Sequence, residues 1–192
     1  VRFKDISGDG VINSDDRTFI GNPYPDMFFG LNLGLSYKGF DVSLFLQGQY
    51  GNEIYNATKF WLTNSGYNYN KGTAILERWT GEGSSNSEPR LSTVDANQNA
   101  RGSDRYIEDG SYLRLKNLQI GYTLSESMAR KLSLKGARVF VSGSNLLTFT
   151  KYTGYDPEVG AARATLGDRT VGFDEVTYPQ NRGFIMGVTI SM

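Results

Sequence analysis

FFGLNLGLSYKGFDVSLFLQGQY, residues Phe28 to Tyr50, decides the fold. Phe29, Leu31, Leu33, Leu35 and Tyr37 alternate with Gly30, Asn32, Gly34 and Ser36. After Lys38-Gly39 the alternation resumes, with Phe40, Val42, Leu44 and Leu46 set against Asp41, Ser43, Phe45 and Gln47. A period of two puts successive side chains on opposite faces of a strand. Two such runs joined by two residues read as an antiparallel hairpin. Pairing across the turn sets Tyr37 opposite Phe40, Leu35 opposite Val42, Leu33 opposite Leu44 and Leu31 opposite Leu46. The other face pairs Ser36 with Asp41 and Gly34 with Ser43. A slip of one residue would scramble both faces, so the pattern itself fixes the register. Lys-Gly leaves the turn type open.

Outward from the hairpin, three further segments read as strand. Residues 111–124 carry Leu113 and Leu115 on one phase and Leu118, Ile120, Tyr122 and Leu124 on the other. The slip near Lys116-Asn117 predicts a bulge. The run from 137 to 149 is a strand whose later phase is unclear at Leu146-Leu147. In the last segment, 182–192, Phe184, Met186, Val188, Ile190 and Met192 share a face. The strand regions are thus 28–50 as a hairpin, 111–149 as a pair and 182–192 as the terminal strand. Between them lie 1–27, 51–110 and 151–181, long and polar, against short connections at 38–39 and 125–136. Short helices are expected over 54–62 and 73–79.

Successive antiparallel strands put all the short connections on one edge and all the long ones on the other. Outer-membrane barrels have this asymmetry; a soluble sandwich has no reason to keep it. The expected strands of about 10–14 residues also exceed the roughly 5–6 usual in globular sheets. The predicted class is therefore all-β, antiparallel and up-and-down: about five strands of a transmembrane barrel, with long external loops containing short helices. Tyr37, Phe40, Tyr112, Tyr122 and Phe149 fall near strand ends, where interfacial aromatics belong. The competing reading is a soluble β-sandwich whose apolar faces pack on each other.

Composition narrows the function. The 20 Lys+Arg balance 20 Asp+Glu, which gives no electrostatic footprint for nucleic acid. Cysteine and histidine are both absent, so there is no disulfide framework, thiolate metal site or histidine base. No nucleophile elbow, phosphate-cradling glycine loop or zinc motif appears, and no enzymatic activity is expected. The loop acids Asp156/Glu158 and Asp174/Glu175 read as solvated turn residues. Trp61, Tyr67, Tyr69 and Trp79 are placed to pack their loop, with stacking on sugar rings as the alternative.

One loop carries a sharper pattern. From Asp5, side-chain oxygens fall at positions 1, 3, 5, 9 and 12 of a twelve-residue loop: Asp5, Ser7, Asp9, Asn13 and Asp16. Val11 offers a backbone carbonyl at position 7, and Gly10 occupies position 6, where the turn is sharp. Ca²⁺ takes six to eight oxygens, and this spacing wraps them around one point. Asp16 stands where an EF-hand has a bidentate Glu; dockerin calcium loops look similar. Asp5, Ser7, Asp9, Val11, Asn13 and Asp16 are the predicted Ca²⁺ ligands.

Taken in order, DISGDGVINSDDRTFIGNPYPD, LGLSYKGFDVSLFLQGQYGNEIYN, SYLRLKNLQIGYTL, VFVSGSNLLTFTKYTGYDPE and YPQNRGFIMGVTISM resemble the C-terminal part of a SusC/RagA-type TonB-linked outer-membrane receptor of Bacteroidetes. The resemblance covers nearly the whole chain and is weakest over 63–105. It implies a barrel of about 22 strands with a plug, a SusD-type lipoprotein as lid, and TonB pulling on the plug to drive import of glycan or peptide cargo. Residues 1–192 would supply the last strands, in contact with outer-membrane lipid, with 1–27, 51–110 and 151–181 outside the cell. The chain opens on Val1 in mid-pattern, so the plug and the remaining strands are expected upstream. Met192 departs from the aromatic residue that usually ends such receptors. The alternative function is a soluble calcium-binding β-sandwich module for adhesion at the cell surface.

Overall fold

The computed structural model describes residues 1–159 and 171–192. They fall into two compact units. One comprises 24–52, 109–158 and 178–192; the other gathers 1–23, 53–108 and the described part of 159–177. Residues 160–170 of the predicted loop 151–181 lie outside the described residues.

The first unit is one antiparallel sheet. Strands β1 (Met27–Tyr37) and β2 (Phe40–Tyr50) form the hairpin. In the other unit come the short strands β3 (Glu53–Asn56) and β4 (Ile107–Asp109), the latter reaching across the unit boundary. The sheet resumes with β5 (Tyr112–Thr123) and β6 (Gly136–Thr150). After β7 (Phe173–Asp174) it ends with β8 (Gly183–Ser191). The sheet order is β1-β2-β5-β6-β8, so each strand lies beside the next sheet strand in the chain. The hairpin register is the one the alternation demands, with Leu35 opposite Val42 and Tyr37 opposite Phe40. Lys38 and Gly39 both have positive φ, 47° and 88°, the backbone of a type I′ turn.

The register carries apolar rows across all five strands. One runs Leu35, Val42, Ile120, Val141, Met186; the next runs Tyr37, Phe40, Tyr122, Val139, Val188. The opposite face has rows such as Gly34, Ser43, Gln119, Ser142, Ile185, polar or small in its first four strands. Among the described residues, much of the apolar face is left exposed. Leu35 is 74% exposed, Met186 79% and Val188 61%. The expected bulge lies between Leu115 and Asn117, against a matching irregularity at Phe45/Leu46. Asn145, with φ 52°, absorbs the same irregularity in β6, which explains the unreadable phase at Leu146-Leu147.

Both ends of the sheet are distinct. Met27 pairs with Tyr50, Gln49 with Tyr112, and Tyr112 with Thr150, so the long connections leave from one end. Gly110 N–H donates to the Asn52 carbonyl at 2.9 Å, closing the 51–110 connection at its base. Tyr37, Phe40, Thr123 and Gly136 bound the short connections at the other end, one holding the helix α2 (Glu126–Lys131). Phe40 and Tyr122 rings meet there at 4.6 Å. Tyr112 departs from the expectation of an outward aromatic. It alternates with Leu113 and is buried on the polar face.

In the other unit, 51–110 is more than loop. Strand β3 pairs in parallel with β7, and β4-β3-β7 make a small sheet. Helix α1 (Ala57–Thr63) starts three residues later than expected, because Glu53–Asn56 is strand; Asn56 caps it by accepting from Lys59 N–H at 2.8 Å. The stretch 73–77 is a single 3₁₀ turn. Ile54, Ala57, Tyr106 and Asp174 form the buried centre. No helix among the described residues is long and apolar enough to cross a membrane.

Asp41 and Arg138 pair across β5 on the polar face, at 2.6 Å and 3.2 Å, passing over Gly121. A Cβ at Gly121 would come within 2.5 Å of the Arg138 guanidinium and 2.6 Å of the Asp41 carboxylate. Gly121→Val is expected to lower the thermal midpoint by circular dichroism, and to lose most of that effect in an Asp41→Ala background. Equal losses in both backgrounds would exclude the ion pair as the cause.

Candidate functional site

Two polar constructions stand out, and the first is the loop Asp5–Asp16. Asp16 folds position 12 of the loop back onto its start. Its carboxylate accepts Ile6 N–H at 2.8 Å, Ser7 N–H at 3.1 Å and Asn13 N–H at 2.8 Å. Hydrogen bonds from the Asn13, Ser7 and Ile6 backbone hold its pKa down to about 2. Asp5 accepts Gly8 N–H at 2.6 Å and Gly10 N–H at 2.8 Å, and Asp9 accepts Val11 N–H at 2.8 Å. Asn13 caps the 3₁₀ turn Ser14–Asp16 by accepting Asp15 N–H at 2.6 Å. Gly8 and Gly10 have φ of 79° and 81°, and a Cβ at either would meet nothing within 4 Å. Conformation, and not crowding, is what asks for glycine there.

The predicted ligands Asp5, Ser7, Asp9, Val11, Asn13 and Asp16 thus share one closed loop. Their carboxylates spend lone pairs on main-chain N–H groups. Among the described residues, no three acidic side chains converge as a metal site would require.

The second construction was not visible in the sequence. Arg114, 2% exposed, projects from β5 on the polar face. Its Nη2 meets Asp156 Oδ1 at 2.5 Å, its Nη1 meets Glu158 Oε2 at 2.8 Å, and its Nε donates to Thr148 Oγ1 at 2.9 Å. Lys116 Nζ reaches Glu158 at 2.7 Å. Gln180 N–H donates to the other Asp156 oxygen at 2.8 Å, tying in the approach to β8. The Tyr112 ring lies 5.5 Å from the guanidinium. Burial alone would raise the Asp156 pKa, but hydrogen bonds from Gln180, Arg114 and Glu158 outweigh it and hold the carboxyl below its ordinary value.

Two cations and two carboxylates balance, so the cluster fastens Asp156, Glu158 and Gln180 to the sheet and leaves none of its own groups free as base or nucleophile. Asp156 and Glu158 are therefore not the solvated turn residues their sequence suggests. Asp174 is likewise fully buried and accepts Thr177 N–H at 2.9 Å. Trp61, Tyr67 and Tyr69 come together, whereas Trp79 makes no ring contact with them.

No protein-family model matches the chain. It is 40% identical over 191 residues to TonB-dependent receptor P3 of Formosa agariphila, covering 98% of this chain and 18% of that protein. Against TonB-dependent receptor SusC of Bacteroides thetaiotaomicron it is 26% identical over 199 residues, covering 98% of this chain and 17% of that one. Over nearly its whole length the chain is thus similar to one segment of SusC/RagA-type TonB-dependent receptors. Its fold agrees. The structure of the RagAB peptide transporter superimposes with a TM-score of 0.77 at 28% identity, over 94% of this chain and 19% of that one. The chain spans about a fifth of the length of the relatives it matches. Those relatives are named as receptors and as a peptide transporter.

Because Arg114 and Asp156 are both nearly inaccessible, Arg114→Met should leave a buried carboxylate uncompensated and cost about 3–5 kcal/mol. Lys at 114 keeps the charge but loses the fork that serves three partners, and should recover only part of it. Urea unfolding of the three proteins side by side is the check.

Proposed function

We propose that this chain is the C-terminal part of the wall of an outer-membrane TonB-dependent importer, contributing its last five strands to a barrel of about 22. The apolar rows face acyl chains and the polar face lines the lumen. The single observation that carries this reading is the apolar face itself: continuous across five strands, paired edge to edge by backbone hydrogen bonds, and left largely exposed among the described residues. In lipid every backbone group must be satisfied within the protein, which a sheet continuing into a closed barrel achieves. A soluble sandwich would have to bury these same residues under a second sheet, so the adhesion-module alternative is disfavoured. Tyr37, Phe40 and Tyr122 then occupy the interface at the short-turn end, with Phe149 near the other.

On this reading the long connections 1–27, 51–110 and 151–181 are external and the short ones periplasmic. A SusD-type lipoprotein serves as lid, and TonB acts on a plug supplied elsewhere in the receptor. The cargo is oligosaccharide or peptide. The chain contributes wall and loops, and performs no reaction.

The absence of cysteine makes the lipid assignment simple to test. Single cysteines at Leu44, Ile120 and Val141 carrying a nitroxide should be relaxed by oxygen dissolved in the bilayer and shielded from an aqueous nickel chelate. Labels at Ser43 and Gln119 should show the reverse. If both sets are shielded from both reagents, the apolar face is packed against protein and the wall assignment fails.

The loop Asp5–Asp16 is proposed to bind Ca²⁺ through Asp5, Ser7, Asp9, the Val11 carbonyl, Asn13 and Asp16. Support comes from the ligand spacing, from the two left-handed glycines, and from the closure that returns Asp16 to the loop's start. Binding requires the carboxylates to turn from N–H groups onto the ion. Calorimetric titration of Ca²⁺ should show one saturable site that disappears in an Asp5→Ala/Asp9→Ala variant; the same heats in both would remove the metal.

A further inference from the structure

The short-turn end of the sheet carries a charge that the chain as a whole does not. The connections 38–39 and 125–136 hold four basic residues, Lys38, Arg130, Lys131 and Lys135, against one acid, Glu126. Net charge over the full sequence is zero, so this local excess is matched by an acidic excess elsewhere. Arg130 and Glu126 neutralise one another at 3.1 Å. The other three cations, Lys38, Lys131 and Lys135, are exposed and form no ion pair among the described residues.

Their backbone is held in place. Lys38 sits at φ 47°, in a left-handed turn position where asparagine or glycine is the usual choice. Its ammonium lies 5.1 Å from the centre of the Tyr37 ring, within cation–π reach. Helix α2 closes in a Schellman motif, with Ser133 at φ 57°. Ser133 N–H donates to the Arg130 carbonyl and Leu134 N–H to the Ala129 carbonyl, each at 3.0 Å. Lys135 N–H then donates to the Ser191 carbonyl at 2.9 Å, tying the connection to β8. Little backbone order is left to impose when a ligand arrives.

These cations border the apolar face. Tyr37, Phe40 and Tyr122 stand in one apolar row, with Lys38 over the first of them. Tyr122 O–H donates to Met128 Sδ at 3.9 Å, which sets α2 beside the third. Met128 and Leu132 are one helical turn apart and exposed, while the Glu126–Arg130 pair occupies the opposite side of the turn. At 100° per residue, Lys131 falls on the flank of the apolar pair. Exposed rings and aliphatic groups thus meet a basic rim. Aromatic and long cationic side chains settle together where a bilayer ends, apolar body inward and polar tip outward. Lysine adds attraction to lipids of net negative charge. A soluble anion would use the ammonium groups and leave Tyr37, Met128 and Leu132 in water.

Building on the membrane reading above, we propose that Lys38, Lys131 and Lys135 bind the phosphates of anionic phospholipids in the leaflet at the short turns. Tyr37, Tyr122 and Met128 lie against the first carbons of the acyl chains.

The protein in detergent micelles is titrated with phosphatidylglycerol or phosphatidylcholine of identical acyl chains, and bound lipid is counted by native mass spectrometry. Phosphatidylglycerol should be preferred. Lys38→Gln should lower that preference about fivefold, and Lys38→Gln/Lys131→Gln/Lys135→Gln should abolish it. A second triple variant at exposed cations of the long connections, Lys4→Gln/Arg17→Gln/Lys151→Gln, should keep it. Circular dichroism of each variant confirms the fold. Equal binding of the two lipids by the unaltered protein overturns the proposal. So does a preference that survives the first triple substitution or is lost in the second. Full displacement of lipid by soluble glycerol phosphate or by hexaglutamate also overturns it, assigning the lysines to a free anion or an acidic protein. The spin-label result separates the two failures: labels relaxed by oxygen, together with equal lipid binding, keep the wall and remove only the headgroup site.

Discussion

Cross-strand register is the constraint on which everything else in this chain rests. Once Leu35 is opposite Val42, each further strand must present its own apolar phase to the same face or spoil the row. Four successive pairings do so, giving rows such as Leu35, Val42, Ile120, Val141 and Met186. The turns only have to return the chain; Lys38-Gly39 manages it with two residues in the left-handed region. A face built this way is incompatible with bulk water over so large an area. The remaining choice is between lipid and protein, and the described residues leave it largely exposed.

On the other face the constraint changes from shape to charge. A buried guanidinium is tolerated only when its donors are met and its charge is balanced. Arg114 is met by Thr148, Asp156 and Glu158, and Lys116 shares Glu158. Such a cluster is a poor source of net stability but a selective fastener, because few other placements of 156–158 satisfy both carboxylates. It gives a long connection a fixed root on the sheet. The loop unit shows the same economy in apolar form: Tyr55 stacks on Phe173 with only 3° between the rings, joining segments more than a hundred residues apart. Long connections without internal structure are uncommon in folded proteins, and here they have a small sheet and a buried centre of their own.

What could be read from the residues alone follows from how local the governing interaction is. Alternation is written into neighbouring positions, so the hairpin, its register, the bulge at Lys116-Asn117 and the segregation of long and short connections were all legible. Strands β3 and β7 were not. Each is too short to display a period, and they pair across more than a hundred residues. Asp156 and Glu158 looked solvated because their cations lie about forty positions upstream, and a Tyr-Asp-Pro-Glu turn is polar in any context. Tyr112 was misassigned for a simpler reason: strand-end position was weighed above phase, although Leu113 beside it already fixed the direction. The spacing of Asp5, Ser7, Asp9, Asn13 and Asp16 was plain, while the direction in which each carboxylate points depends on its main-chain partners and is not written in spacing.

The bulge joins the two faces. Strict alternation through β5 would force a choice. Keeping Leu113 and Leu115 on the apolar face would turn Leu118, Ile120 and Tyr122 toward the polar one; keeping the latter three would bring Arg114 out with the apolar rows. Inserting one extra residue at Lys116 lets both leucine sets stay on the same side. Arg114 and Lys116, two positions apart, both reach the polar side, near enough to share Glu158. An irregularity that weakens the ladder locally therefore gives one strand two phases, and the ion cluster that anchors the following loop depends on that change of phase. Removing the extra residue would disturb the apolar rows and the loop anchor together, although the two lie on opposite sides of the sheet.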